Sequence, residues 1–155
     1  MPPSPTYEAA TLVSTALVSA SSIMPGEARY PIEHSHERID SVCIQYNAAV
    51  ALADFVPAVQ GELRNNRVDS RLYEAGMQPA GCQAILYYTA FLDWDQRALS
   101  SEYAAYLTFA SMTLRSSDGR VLASANYQSS ELGLDKWSPT QRKISGMVKA
   151  LLAGN

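Results

Sequence analysis

PAGCQAILYYTAFLDWD, residues 79–95, is the most apolar and aromatic run of the chain. After the cysteine, apolar and aromatic residues occupy both faces of an extended chain. One face would carry Ala84, Leu86, Tyr88 and Leu92, and the other Ile85, Tyr87 and Phe91. A strand that is apolar on both faces is typical of a sheet covered on both sides. The stretch therefore predicts a central strand that ends at Asp93-Trp94-Asp95, with Trp94 packed and the two carboxylates in water.

The chain before this strand predicts a strand, a helix and a second strand. In RIDSVCIQYN, alternation sets Val42, Ile44 and Tyr46 on one face and Cys43 on the other. In ALADFVPAVQGELRNN, residues 51–66, apolar residues are spaced by four, three and four, which indicates a helix. This helical stripe comprises Leu52, Val56, Val59 and Leu63. RVDSRLYEAG then predicts a shorter strand with Val68 and Leu72 inward, and the strand–helix–strand order favours a right-handed crossover.

The chain after the central strand predicts two long strands and a final helix. Asp118-Gly119 is a strong hairpin signal between the two strands. In KWSPTQRKISGMVKALLAGN, Ser138 is the expected N-cap, Pro139 the first helical residue and Gln141 the partner in a capping box. The order β-α-β-β-β-β-α predicts an α+β fold, a two-layer sandwich whose mixed sheet carries both helices on one face.

Size and charge exclude several classes of protein. A chain of 155 residues fits one domain and needs no metal or disulfide merely to fold. It has 12 Lys and Arg against 15 Asp and Glu, a net charge of −3, and the basic residues form no stripe that could neutralise phosphates. We therefore predict no nucleic-acid partner. With no run of 18 apolar residues, we also predict no transmembrane segment.

Residues 1–30 differ in composition from the remainder. We predict a leader or flexible N-terminal segment over 1–30 and a single α+β domain over 31–155. Residues 9–18 are weakly apolar and precede a run of small residues, as at the end of an export signal. No Lys or Arg comes before them, whereas an export signal begins with positive charge. A cleavable signal and a flexible Pro- and Ser-rich tail therefore both stay open.

Cys43 and Cys82 are the two cysteines of the chain. They lie at comparable levels of strands that should be neighbours, and an even number of cysteines in an exported domain permits a bridge. We therefore predict a disulfide between them, and with it a periplasmic or envelope location. The alternative is a pair of buried thiols in a cytoplasmic protein.

The sheet face opposite the helices predicts a surface for a partner. That face should present Tyr87, Phe91, Tyr106 and Met112. Apolar side chains left in water are unfavourable, so something should cover them. The N-terminal segment, a second copy of the chain, another protein and a ligand are the candidates.

Catalytic and cofactor signatures are absent from the sequence. It contains no phosphate-binding glycine loop, nucleophile elbow or calcium loop. The two histidines, His34 and His36, are two residues apart and would point the same way on a strand. They are weak candidates for a metal site, because a third ligand would have to come from elsewhere. We predict no catalytic residues, no metal and no cofactor.

Three features together resemble a family of envelope proteins. They are the Gly81-Cys82 pair before a long central strand, the hairpin that follows, and a final helix introduced by tryptophan in LDKWSPTQRKISGMVKALL. Across about residues 39–152 the chain resembles small proteobacterial envelope lipoproteins and, more distantly, the auxiliary lipoproteins of transport and lipopolysaccharide assembly. It departs from them at Cys43, which lies within a predicted strand and has no lipobox before it.

The resemblance implies a non-enzymatic envelope module that binds other proteins or assists assembly. Its partner would be another protein or a second copy, held through the sheet face. Two alternatives stay open: an immunity- or antitoxin-like inhibitor protein, and a metal-binding protein that uses His34 and His36.

Overall fold

The computed structural model describes residues 29–33, 36–130 and 132–153. Its strands are β1 (Arg29–Glu33), β2 (Ser41–Gln45), β3 (Asp69–Tyr73), β4 (Ala84–Gln96), β5 (Tyr103–Ser116) and β6 (Val121–Gln128). Its helices are α1 (Phe55–Asn65) and α2 (Thr140–Leu152). From β2 onward the order is the predicted β-α-β-β-β-β-α, so the α+β fold class is confirmed.

One strand, β1, was not predicted. It pairs antiparallel with β6 and begins at Arg29, two residues before the expected start of the domain. Residues 1–28, which hold the candidate export signal, lie outside the described residues.

The six strands form a single mixed sheet in the order β1-β6-β5-β4-β2-β3. β2 lies between β3 and β4 and pairs parallel with both, whereas β4, β5 and β6 form an antiparallel meander. At the β5–β6 turn, Gly119 has a φ of +91°, a conformation that favours glycine. The predicted Asp-Gly hairpin is thus confirmed.

Both helices pack on one face of the sheet and share one hydrophobic core with it. Phe55 of α1 stacks on Tyr88 of β4, with ring centroids 5.1 Å apart. α2 contributes the predicted stripe, Ile144, Met147, Val148 and Leu151, and all four side chains are buried. The alternation predicted for β4 is confirmed, because Leu86 and Tyr88 join this core while Ile85 lies on the opposite face.

Two local predictions are wrong. Leu72 is 46% exposed, because β3 is an edge strand that pairs only with β2. α2 begins at Thr140 and no side chain caps it, so the predicted capping box does not form. The polar side chains join the two helices instead: Thr140 Oγ1 donates to Asp54 Oδ2 at 3.0 Å, and Gln141 Nε2 donates to Glu62 Oε1 at 3.2 Å.

The β4–β5 hairpin extends beyond the strands on either side of it. β2 pairs with β4 only as far as Leu86, and β6 pairs with β5 only from Phe109 onward. A bulge between Phe91 and Leu92 interrupts the pairing where the extension begins. We call residues 91–108 the arm. It is two strands wide, so no third strand of the described chain pairs with either edge beyond its base. At the base, the carbonyl oxygen of Thr108 accepts from the Ser129 N–H and that of Leu107 from Lys143.

Candidate interaction surface

Two of the four residues predicted to face a partner lie on the open side of the sheet. Phe91 is 61% exposed, and its ring lies 5.7 Å from that of Phe109. Tyr87 is half-buried and packs against a small cluster on the same side. The guanidinium of Arg115 lies 5.9 Å from the centre of its ring. The cluster consists of Cys43, Tyr73, Cys82 and Ile85. Phe109 is half-buried like Tyr87, so the apolar surface on this side that water contacts most is the ring of Phe91.

The other two predicted residues are placed differently. Met112 is fully buried in the core beneath the helices, opposite Tyr88 in the register, so its assignment to the surface is wrong. Tyr106 is half-buried, and its ring packs edge-on against Trp137 at 5.5 Å. The one bulge in the β4–β5 pairing, opposite Phe91 and Leu92, shifts the alternation between these positions, so Tyr106 and Met112 do not share a face.

The arm presents apolar residues that the sequence prediction missed. Trp94 was expected to pack but is 61% exposed, and Leu99 and Tyr103 are also exposed at and beside its tip. Leu99 also has a positive φ of 63°, which is uncommon for a residue other than glycine. The unequal lengths of the strands were a signal for the arm, since β4 and β5 have 13 and 14 residues whereas β2 and β3 have five each.

A cluster of charges and rings fastens the arm to the segment before α2. Lys136 Nζ lies 2.6 Å from Asp95 Oδ2, and this contact lowers the pKa of Asp95 and raises that of Lys136. The guanidinium of Arg97 lies 4.8 Å from the centre of the Trp137 ring. These contacts hold the arm near its turn, because β4 ends at Gln96, whereas the exposed aromatic residues of the arm are not covered by the described chain.

Cys43 and Cys82 form the predicted disulfide. Their Cα atoms are 5.7 Å apart, and the bridge joins the middle of β2 to the loop that leads into β4. Both cysteines are buried with Tyr73 and Ile85 on the face opposite the helices. The described residues contain no free cysteine.

The histidine pair gives no assembled metal site in the described part of the chain. His34 lies outside the described residues. The Nδ1 atom of His36 is 2.8 Å from the carbonyl oxygen of Glu37, and its Nε2 atom is buried without a hydrogen-bond partner. Across residues 29–33, 36–130 and 132–153, no group of three or more His, Cys, Asp or Glu side chains is placed to hold a metal ion.

Comparison with known proteins identifies structures of similar fold but assigns the chain to no family. No family model matches the chain, and no curated protein matches it. Among solved structures it is similar to a dodecamer of a PelC variant from Paraburkholderia phytofirmans, with a TM-score of 0.57 and 17% identity over 82% of this chain and 98% of that one. A second PelC dodecamer from the same organism gives a TM-score of 0.51 and 17% identity over 79% and 98%. The chain shares the fold of these subunits.

No helix of the described residues is long and apolar enough to cross a membrane.

Proposed function

We propose that this protein is a non-enzymatic accessory subunit of the cell envelope that works by associating with further copies of itself. The observation that carries the proposal is the similarity of its fold to protein chains that form dodecamers. The alignment covers 98% of each of those chains, so it takes in nearly the whole of the subunit that assembles.

The arm supplies a surface on which a second copy could dock. Its exposed apolar residues are Phe91, Trp94, Leu99 and Tyr103. Aromatic residues are enriched in the cores of protein interfaces, because they bury large areas and lose little conformational entropy. The free edges of the arm add backbone donors and acceptors that another strand can pair with. Apolar rings beside unpaired edges favour a protein partner over a small ligand.

The disulfide supports the envelope location. Structural disulfides form and persist in oxidising compartments such as the periplasm and are rare in the cytosol. Cys43 and Cys82 are bridged and buried, as structural disulfides commonly are. The resemblance to envelope lipoproteins points to the same compartment.

The proposal is tested by the mass of the purified native protein in solution. Native mass spectrometry and sedimentation should both give a multiple of the subunit mass. Replacing Phe91 and Trp94 together with Ser should shift the population towards monomer without changing the far-ultraviolet spectrum, because both side chains are exposed. Leu132→Ser is the matched control, since Leu132 is exposed but lies outside the arm.

Two results would count against the proposal. A wild-type chain that stays monomeric at all soluble concentrations would remove self-association. A monomer that recovers a different protein in stoichiometric amount from its host would favour the inhibitor hypothesis.

A further inference from the structure

A cavity lies beside the start of α2, between that helix and the base of the arm. Its volume is about 240 Å³. At roughly 30 Å³ for each water molecule, this space would hold about eight waters, and it is smaller than the pockets that hold drug-sized ligands. The cavity therefore suits an ion or a very small organic molecule.

Three cationic side chains line this cavity, against one carboxylate. The cations are Arg97, Lys136 and Lys143, and the carboxylate belongs to Asp54. Asp54 is exposed to solvent and accepts a hydrogen bond from Thr140, so its charge is partly screened. Lys136 has Asp95 as its partner outside the cavity lining. The balance of charge around the cavity is positive.

Lys143 is the unusual member of this group, because its side chain is buried. The residue is only 2% exposed. Its Nζ donates to the carbonyl oxygen of Lys136 at 2.7 Å and more weakly to that of Leu107 at 3.4 Å. No described carboxylate lies within ion-pair distance of it. An ammonium group has three donors, so one makes no hydrogen bond to these two carbonyls, although the Tyr106 ring centre lies 5.7 Å from Nζ.

Burial without a charged partner is costly for an ammonium group. Desolvation lowers the pKa of Lys143, although the charges of Asp135 and Asp54 oppose that effect. An anion in the cavity would supply the missing negative charge and would favour the protonated lysine.

The backbone at the start of α2 adds further donors. The first turn of a helix leaves backbone N–H groups without intrahelical partners and carries a partial positive charge. In α2 no side chain caps these groups, and Thr140, the first residue of the helix, lines the cavity. Ser138 and Pro139 also line it but offer no free donor, because the Ser138 N–H donates to the carbonyl oxygen of Asp135 and proline has no N–H. The helix start, the buried lysine and the rim arginine thus converge on one space.

We propose that this cavity binds a small oxyanion, a phosphate or a short carboxylate. The ammonium of Lys143 and the uncapped start of α2 would hold its oxygens, with Arg97 at the rim. The site shares Arg97 with the arm, but its lining includes none of the exposed apolar residues proposed for docking, and the proposal does not depend on self-association.

The test uses the intrinsic fluorescence of Trp137, which borders the cavity. Trp94 is the second of the two tryptophans, and the Trp94→Phe variant leaves Trp137 as the sole reporter. Inorganic phosphate and acetate are titrated separately at constant ionic strength, and isothermal titration calorimetry gives an independent measurement. At least one of the two should give saturable binding. If only phosphate binds, the natural ligand is a tetrahedral oxyanion, and if only acetate binds, it is a carboxylate.

Variants then locate the site. Lys143→Met and Arg97→Gln should each weaken binding at least tenfold. Lys149→Met, on the exposed side of the same helix, should leave it unchanged. Lys143→Met replaces a buried charge with an apolar side chain of similar length, so the fold should persist, and Arg97 is exposed. Affinity in the wild type should also fall as the pH rises and Lys143 loses its proton.

Either of two results would overturn the proposal. One is the absence of saturable binding of both anions to the wild-type chain. The other is equal affinity in the wild type, Lys143→Met and Arg97→Gln, which would place the anion elsewhere.

Discussion

Reduction of the Cys43–Cys82 disulfide should lower the stability of the folded chain substantially. The bridge closes a loop whose ends are 39 residues apart in sequence. In the chain-entropy treatment, a cross-link of that length removes about 13 cal/mol/K from the unfolded ensemble, or about 4 kcal/mol at 25 °C. For a chain of this size, where each kcal/mol shifts the midpoint by about 2–4 °C, Tm should fall by roughly 8–16 °C.

The assay compares the same sequence in two states. The free energy of unfolding is measured by urea titration of the oxidised protein and of the protein reduced under denaturing conditions and refolded with reductant. The Cys43→Ala, Cys82→Ala double variant is the control, and reductant should not change its stability. A difference below about 1 kcal/mol between oxidised and reduced protein would refute the reasoning, because the loop would then not be constrained by the bridge.

Three further perturbations test the packing, the buried charge and the turn. Leu86→Ala should cost about 2–5 kcal/mol of unfolding free energy in urea titration, because Leu86 is buried between the sheet and the helices, whereas Leu132→Ala should change it by less than about 0.5. Lys143→Met should leave the free energy of unfolding unchanged or raise it near pH 7. Because folding lowers the pKa of Lys143, the wild type should become more stable relative to the variant as the pH rises from that pKa towards the unfolded value near 10.5. A difference in stability that does not change with pH would contradict this. Gly119→Ala should cost about 1–2 kcal/mol, because alanine is strained at a φ of +91°, and an unchanged denaturation midpoint would count against the assigned turn.

The periodic elements could be predicted from the sequence because burial alone specifies them. The stripe of α2 and the alternation through Val42, Cys43 and Ile44 both follow from which face meets the core. The disulfide was predictable for the same reason, since the strand assignments placed the two cysteines on neighbouring strands. The contacts of these residues with the core can therefore be inferred from their spacing in the sequence.

Other features depend on the tertiary structure and left no local signal. The β4–β5 bulge changes the alternation, so that Met112 points into the core while Tyr106 packs against Trp137. No unusual residue in the sequence marks this bulge. Gln141 fits a capping box by sequence, yet in the fold its side chain meets Glu62 and closely approaches Gly61 of the neighbouring helix. Leu72 appears in an apolar pattern, but only the order of strands in the sheet reveals that β3 is an edge.

The cavity beside α2 is also a product of the fold. Lys143 directly precedes the apolar stripe of Ile144, Met147 and Val148 in the sequence. A lysine at such a position is ordinarily expected to be exposed to solvent. It is buried because the segment before α2 folds back over it and supplies the carbonyl of Lys136. Arg97 arrives from the arm, about 45 residues away in the chain.

The most direct test of the central claim is the mass of the native assembly, measured by native mass spectrometry on protein isolated from the envelope fraction of its host. We expect a multiple of the subunit mass, with Cys43 bonded to Cys82 in every copy. A monomer with two free thiols, recovered from the cytoplasmic fraction, would contradict both the self-association and the envelope location.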